Sequence, residues 1–385
     1  MPVMARRARP QRPPRARGQR FQAFVRDYTA GMRPDDVRRL VDRDLPRAFT
    51  VLTRDQTGDP EPKGGLRRFL WRVRVLFLGL SYKLTPARRA IFALSILAAI
   101  LGIFNLDIEV AGPAVDVRLD SSPALFLLSF LGLVYLLAVE LTDRVLVRDE
   151  LQVARQLQRD LLPRAAPVVP GYAFAHAYRT ANEVGGDYYH FVPLAGGRLA
   201  LAVGDASGHG MAAGLLMAIA NATLHAALDL DPAPDRVIEL VNRNLCRTGD
   251  RRAFMTLFYG LLDPESGRLE HRNAGHPFPL LRRAGGEIVE LGHGSMPLGI
   301  RAVLELRTDT VTLERGDTLL LYSDGLPEAL SASGQAFGFD RLRQLLEPGG
   351  EAQAVLDRVL GAFDAHVAGE PLNDDLTLVV VTARR

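Results

Sequence analysis

Two apolar runs without a charged residue constrain this chain more than any other feature of its sequence. They are IFALSILAAILGIF, which ends at Phe104, and ALFLLSFLGLVYLLAV, which ends at Val139. A helix that spans a bilayer needs about 17–25 residues, and Arg88 and Arg89 lengthen the first run if their charged groups extend to the interface. We therefore predict two transmembrane helices, at about 88–106 and 123–141. The alternative is a pair of helices buried in a soluble core.

The charges around the two runs predict their orientation. The loop between them carries four acidic residues against Arg118, namely Asp107, Glu109, Asp116 and Asp120. Arginine and lysine flank the outer ends, at Arg67, Arg68, Arg72, Arg74, Lys83, Arg88, Arg89, Arg144 and Arg148. By the positive-inside rule both ends of the chain lie in the cytoplasm. No signal-peptide cleavage pattern is present near the N-terminus, so we expect a multi-pass protein of the inner (cell) membrane with its C-terminal domain in the cytoplasm.

The segment before the hairpin is polar and basic. Residues 1–20 are rich in proline and arginine and lack apolar periodicity, so we expect a disordered basic arm. Residues 21–85 are expected to form a cytoplasmic polar and basic region beside the membrane. A basic arm next to a membrane span favours contact with anionic membrane lipid, and no nucleic-acid partner is expected.

A linker helix is predicted over residues 142–163, directly after the second apolar run. Apolar residues recur at helical spacing until Pro163, at Val147, Leu151, Ala154, Leu157 and Leu161. A helix of this kind either pairs with its copy in a homodimer or packs on its own domain. The spacing favours neither.

From residue 164 to residue 385 the pattern changes to short β segments joined by turns. Segments of strand composition are RLALAVGD, MTLFYGLLD, RLEHRNAG, PLLRRA, EIVELG, TLLLYSDG and LTLVVVTA. Helices are expected at Ala212–Leu228, Asp235–Cys246, Phe339–Leu346 and Ala352–Val367. Consecutive hairpins predict an α+β domain with mainly antiparallel sheets and helices outside them. Cys246 is the only cysteine, which excludes an internal disulfide and a thiolate metal site.

Acidic residues lie where the apolar strands begin or end. Asp187 occurs in EVGGDYYHF, Asp205 in LALAVGDASGHG and Asp324 in LLLYSDG. Asp374 and Asp375 directly precede the last strand. Each alone is typical of a turn. Together, with few cationic neighbours, they predict a site for a hard divalent cation, because magnesium and manganese prefer carboxylate and carbonyl oxygens.

Glycines and histidines accompany these carboxylates. Gly185, Gly186 and Gly204 allow the backbone to approach a metal or a phosphate closely. His209 and His276 have imidazoles suited to proton transfer or metal binding. A histidine in a glycine-rich loop is more often a structural hydrogen-bonding group.

The ordered motifs resemble one family. LQVARQLQRDLLP, EVGGDYYHF, VGDASGHGMAAGLLMA, RNAGHPFPLL, MPLGI, LLLYSDGLPEAL, FGFDRL and NDDLTLVVV are similar, in this order, to the bacterial PPM-type (type 2C) phosphatases of the SpoIIE/RsbU branch. The resemblance covers residues 151–382. It implies a sandwich of two antiparallel β-sheets flanked by helices, with two Mn²⁺ or Mg²⁺ ions at one end.

The resemblance also implies a set of ligands. By position, Asp187 and Asp205 correspond to the carboxylates that bridge the two metals and hold the attacking water, Ala206 contributes its backbone carbonyl, and Asp324 and Asp374 are further ligands. The doubled aspartate leaves the last ligand open between Asp374 and Asp375, and the family's Asp-Asn pair favours the first. Residues expected beside the ligands are Gly186, Ser207, His209, Asn273, His276 and Asp375. His190 stands where many relatives have an acidic residue, a change expected to affect the surroundings of Asp187.

The function implied by the resemblance is hydrolysis of phosphoserine or phosphothreonine in a regulatory protein. The expected substrate is a phosphorylated anti-sigma-factor antagonist with a STAS domain, in a partner-switching pathway. The alternative is a membrane-attached sensor with the same fold and no catalysis. Since every expected acidic position is filled, the sequence favours the enzyme.

Overall fold

The computed structural model describes residues 65–104, 107–111, 116–248, 253–305 and 307–384. The chain forms two compact units, Met1–Thr142 and Asp143–Arg385. The predicted basic arm at 1–20 and the first part of the membrane-proximal region, 21–64, lie outside the described residues.

The N-terminal unit is helical, with a short hairpin of strands. Its elements are α1 (Gly65–Lys83), α2 (Pro86–Ile103), β1 (Asp107–Ala111), β2 (Asp116–Asp120) and the start of α3 (Ser122–Leu161). Pro86 begins α2, where a missing N–H costs no helical hydrogen bond. The loop expected between the two apolar runs therefore contains an antiparallel pair of strands, with Asp107 opposite Asp120.

Helices α2 and α3 expose large apolar side chains along the predicted spans. Leu94, Leu97 and Ile103 on α2, and Leu128 and Phe130 on α3, are largely exposed. Both helices are long and apolar enough to cross a membrane, and only 17% and 11% of their apolar windows are buried. A soluble core helix buries its apolar residues, so this exposure favours two membrane spans over the alternative of core helices.

Helix α3 is longer than either segment predicted for it. It runs for 40 residues without interruption, so the second apolar run and the expected linker helix are one element. It ends at Leu161, before Pro163, as the sequence predicts.

The C-terminal unit contains two five-stranded antiparallel sheets. Sheet 1 has the order β10-β7-β6-β5-β4, and sheet 2 has the order β3-β12-β11-β8-β9. The strands of sheet 1 are β4 (Asp187–Pro193), β5 (Leu199–Ala206), β6 (Met255–Leu262), β7 (Arg268–Ala274) and β10 (Asp309–Thr312). Those of sheet 2 are β3 (Tyr172–Arg179), β8 (Leu280–Arg282), β9 (Ile288–Glu290), β11 (Thr318–Tyr322) and β12 (Leu376–Ala383). The predicted fold class is confirmed.

The two sheets share a core, and each has helices on its outer face. Leu319 and Leu321 of β11 join the central cluster with residues of sheet 1, whereas Leu320 between them joins the cluster under the outer helices. This alternation follows from the two-residue period of a strand. Helices α4 (Met211–Leu230) and α5 (Pro234–Thr248) pack on sheet 1, while α6 (Phe339–Leu346) and α7 (Ala352–Val367) pack on the side of sheet 2.

The four helices predicted in this unit are present. Those at Phe339–Leu346 and Ala352–Val367 have the predicted bounds, and the other two extend one or two residues further at each end. Helix α4 is apolar enough to span a membrane, but Ala213, Met217, Ala220 and Leu224 are buried in the core, so it belongs to the domain. Strands β3 and β10 were not among the predicted strand segments.

Candidate metal centre

Asp187 and Asp205 face each other across two neighbouring strands. Asp187 begins β4, Asp205 lies near the end of β5, and the two are register partners. Asp187 is buried and accepts a hydrogen bond of 2.6 Å from the Thr377 hydroxyl. Burial, followed by the charge of Asp205, raises the pKa of Asp187 well above its usual range. Two adjacent carboxylates with so little solvent require protons or a cation.

Asp205 and Asp324 line one cavity of about 410 Å³, which we call the Asp205–Asp324 cavity. Burial raises the pKa of Asp205 to about 8, and the nearby carboxylates of Asp324, Asp374 and Asp375 add to this. Asp324 follows β11, and burial together with Asp374 and Glu328 raises its pKa to about 6. The buried Oδ1 of Asp324 has no hydrogen-bond partner among the described residues, as expected for an oxygen placed to meet a ligand.

Asp374 and Asp375 have different surroundings. Asp375 is buried, and its two carboxylate oxygens accept backbone hydrogen bonds from Ala181 at 2.7 Å and Gly186 at 2.6 Å. It therefore braces the loop that leads into Asp187. Asp374 is exposed, and its charge raises the pKa of both Asp205 and Asp324. Its Oδ1 accepts a hydrogen bond of 2.8 Å from the Asp375 N–H, and Asp374 is the one of the two carboxylates that is exposed.

The loop before Asp187 is held closely. A Cβ atom on Gly186 would lie 2.7 Å from the Ala206 carbonyl oxygen and 2.9 Å from Asp205 Oδ1, so only glycine fits beside these oxygens. The side chain of Gln158, on α3, donates to the Gly185 carbonyl at 2.6 Å and accepts from the Gly185 N–H at 3.0 Å. Gln158 was not predicted, because the polar side of a helix carries no sequence signal for such a contact. Asp375 was expected beside the ligands, but its bracing hydrogen bonds were not predicted.

Three further residues were predicted beside the ligands, namely Ser207, His209 and Asn273. The Ser207 hydroxyl accepts a hydrogen bond from the Phe254 N–H. His209 is exposed in the loop before α4. Asn273 accepts a hydrogen bond from the His276 N–H and donates one to the His276 carbonyl, which closes the turn between them.

His276 is a buried imidazole that lines the Asp205–Asp324 cavity. Its Nδ1 lies 2.9 Å from the Thr256 hydroxyl, and its Nε2 has no partner among the described residues. Burial lowers the pKa of His276 to about 3, so the ring is neutral near pH 7.

His190 points away from the candidate site. Its Nε2 lies 3.0 Å from Nε2 of His225 on α4. Burial lowers the pKa of His190 to about 4, and His225 adds to the effect. His190 was expected to affect the surroundings of Asp187. It pairs instead with His225 under α4.

The donor chemistry of the site suits a hard divalent cation. Asp187 and Asp205 are register partners, the charges of Asp324 and Asp374 act on Asp205, and the Ala206 carbonyl lies beside Gly186. Carboxylate and carbonyl oxygens are the ligands that Mg²⁺ and Mn²⁺ prefer. Within the described ranges, no three His, Cys, Asp or Glu side chains are grouped closely enough to enclose an ion.

Three comparisons identify related proteins. Residues 195–384 match the family described as "Stage II sporulation protein E (SpoIIE)". Protein IcfG of Synechocystis is 27% identical over 64% of this chain and 43% of its own length. Phosphoserine phosphatase RsbU of Bacillus subtilis is 25% identical over 61% of this chain and 70% of its own length. The chain thus spans less than half of IcfG.

A solved structure shares the fold. The SiaA-PP2C domain of Pseudomonas aeruginosa aligns with 63% of this chain and 98% of its own, with a TM-score of 0.56 and 21% sequence identity.

Proposed function

We propose that this chain is a metal-dependent protein serine/threonine phosphatase, because residues 195–384 match the SpoIIE family and the C-terminal unit shares the fold of a PP2C domain. One observation carries the proposal. The buried Asp187 and the half-buried Asp205 stand in register on sheet 1, and the carboxylates of Asp324 and Asp374, from the loops beside sheet 2, act on Asp205. This concentration of desolvated negative charge has no structural use without a cation.

The proposed ligands of two Mn²⁺ or Mg²⁺ ions are Asp187, Asp205, Asp324, Asp374 and the backbone carbonyl of Ala206. When bound, such cations supply Lewis acidity, which brings the pKa of a water molecule towards neutrality and neutralises charge on a phosphoryl group.

The chain itself contributes position and a dry environment. The pairing of β4 with β5 fixes the positions of the Asp187 and Asp205 carboxylates. The Thr377 hydroxyl orients the carboxylate of Asp187. Asp375 holds the loop containing Gly186, whose lack of a side chain leaves the Ala206 carbonyl accessible. The apolar residues of the Asp205–Asp324 cavity limit the water around the reacting group.

Asp205→Asn tests the proposal. We expect the purified wild-type chain to hydrolyse p-nitrophenyl phosphate only with added Mn²⁺ or Mg²⁺, and the variant to lose this activity while remaining folded. Asp229→Asn, an exposed aspartate at the end of α4, is the matched control and retains the activity. Full metal-dependent activity in Asp205→Asn would contradict the ligand assignment.

The alternative, a protein of the same fold without catalysis, has one observation in its favour. Among the described residues the candidate ligands are not grouped as a closed metal site. The same assay decides, because the non-catalytic protein hydrolyses no phosphoester at any Mn²⁺ concentration.

The proposed substrate is a phosphorylated regulatory protein, and in finer detail a STAS-domain anti-sigma-factor antagonist. Support comes from the resemblance of the ordered motifs and from the similarity to RsbU, a phosphoserine phosphatase. Release of phosphate from a serine-phosphorylated STAS protein, compared with an unrelated phosphoprotein, tests it. Equal rates on both would contradict the specificity.

We place the chain in the inner membrane through α2 and the first half of α3, with the phosphatase domain in the cytoplasm. The apolar exposure of both helices supports the spans, and the flanking arginines support the orientation. Cysteines introduced at Leu330 and at residue 113 should differ in labelling by an impermeant maleimide on intact cells, with only residue 113 accessible.

The segment 142–163 is proposed to pair with its copy in a homodimer. Val147, Val153 and Leu157 on this part of α3 are largely exposed. Cysteine crosslinking at these positions tests the pairing, and the absence of crosslinks along the whole segment would remove it.

A further inference from the structure

The Asp205–Asp324 cavity extends beyond the candidate ligands. Its other lining residues come from the loop after β7, from the end of β11 and from α6, and they include Pro277, Phe278, Tyr322 and Phe339. Tyr322 is buried, Phe339 is 55% exposed, and their ring centroids lie 6.4 Å apart. The cavity is large enough for one long side chain beside the proposed reaction site.

The lining of this cavity is also acidic. Glu290 and Glu328 line it together with Asp205 and Asp324, and none of its described lining residues is Arg or Lys. Glu290 is ion-paired with Arg343 on α6. Glu328 is exposed and forms no ion pair with any described residue. When cations neutralise Asp205 and Asp324, Glu328 remains as an uncompensated negative charge at the rim.

Aromatic walls combined with a carboxylate suit one type of side chain. Arginine and lysine place an aliphatic stem along apolar surface and keep the charge at the rim. The guanidinium group of arginine also stacks on aromatic rings. An acidic side chain would instead meet like charge from Glu328.

We propose that the Asp205–Asp324 cavity binds an arginine or lysine side chain of the phosphoprotein substrate, close in sequence to the phosphoserine, with Glu328 as its ion-pair partner and Phe339 as its aromatic wall. This inference rests on the proposed function. It makes Glu328 and Phe339 residues that select the substrate sequence.

Synthetic phosphoserine peptides test the inference with the full chain in detergent and Mn²⁺. Arg, Leu or Glu is placed in turn at each position near the phosphoserine of an otherwise alanine-rich peptide, and phosphate release gives kcat/KM. At one position or more we expect kcat/KM to be about tenfold higher for the Arg peptide than for the Glu peptide. This ratio corresponds to the combined free energy of one exposed ion pair and one cation–π contact. Glu328→Lys should reverse this preference, and Phe339→Ala should reduce it by raising KM for the Arg peptide.

Glu287→Lys is the matched control, because it makes the same charge change at an exposed turn outside the cavity and keeps the wild-type preference. Glu328→Gln is a second variant, expected to abolish the preference without reversing it. A preference for Leu over Arg, or an unchanged profile in both Glu328 variants, would overturn the inference.

Hydrolysis of p-nitrophenyl phosphate separates the two proposals. Metal-dependent turnover with no Arg preference at any position overturns the cavity assignment and leaves the phosphatase function intact. No turnover of any phosphoester overturns both.

Discussion

The two sheets supply their candidate ligands in different ways. Sheet 1 carries Asp187 and Asp205 within paired strands, so their separation is set by the hydrogen-bond register. Sheet 2 carries Asp324 after β11 and Asp374 before β12, outside any strand. A strand pair holds side chains more rigidly than two loops do. For the proposed metal site we therefore expect a preformed half on sheet 1 and a half in the loops beside sheet 2 that adjusts to the cation.

Electrostatics follow the same division. Asp187 is almost fully buried, whereas Asp374 is exposed, and the pKa of Asp205 is raised to about 8 compared with about 6 for Asp324. The strand carboxylates thus lose more hydration than the loop carboxylates and depend more on a compensating charge. Substitutions on sheet 1 should therefore cost more activity than those on sheet 2.

Asp187→Asn is expected to have the largest effect. The amide keeps the shape of the side chain but removes the charge that two cations would share. We expect kcat/KM for p-nitrophenyl phosphate to fall by about 10³-fold or more, the scale of several kcal/mol of metal-based stabilisation. Calorimetry should show that Mn²⁺ binding is lost at the same time. Retention of both properties would remove the distinction between the sheets.

Asp324→Asn should cost less, about 10²-fold at fixed Mn²⁺. Because a loop carboxylate contributes to affinity and less to the preformed geometry, raising the Mn²⁺ concentration should restore part of the activity. The check is a Mn²⁺ titration of both variants in parallel. Recovery in Asp187→Asn but not in Asp324→Asn would reverse the proposed roles.

Asp374→Asn and Asp375→Asn separate two neighbouring carboxylates that directly precede β12. The first should weaken Mn²⁺ binding with little change in Tm. The second replaces one acceptor of two backbone N–H groups with a donor, and should reduce stability by about 1–3 kcal/mol. Thermal unfolding with EDTA, which removes metal effects, measures the difference. Equal Tm values in EDTA would contradict the bracing role of Asp375.

Local patterns made much of this arrangement predictable. Alternation along β11 and β12, and the turns between hairpins, identified the sheets, while Asp187, Asp205 and Asp324 were noticed because aspartate is unusual at the end of an apolar strand. The role of Asp375 was not predictable, since its partners lie 194 and 189 residues away in sequence. Likewise, the pairing of Gln158 with Gly185 and of His190 with His225 depends on which surfaces pack together. Such contacts leave no mark in residue spacing.

A pH dependence of stability should distinguish Asp205 from Asp324. Both pKa values are raised above that of the unfolded chain, so the metal-free fold holds protons that the unfolded chain has released. The protonated carboxyls stabilise the metal-free fold fully below about pH 4. As pH rises, the contribution of Asp324 to the free energy of unfolding is lost by about pH 6 and that of Asp205 by about pH 8. Without metal, Tm should therefore fall between pH 5 and pH 8.5, at about 2–4 °C per kcal/mol.

Added Mn²⁺ replaces the lost protons, so the rise in Tm that it causes should be larger at pH 8.5 than at pH 5.5. In EDTA, Asp205→Asn should flatten the decline above about pH 6, and Asp324→Asn should flatten only the part below it. Differential scanning fluorimetry across this range, with Asp229→Asn as the control, measures each part. A metal-free Tm that rises with pH over this interval would show that the strand carboxylates are already compensated by the protein, and would undo the contrast between the two sheets.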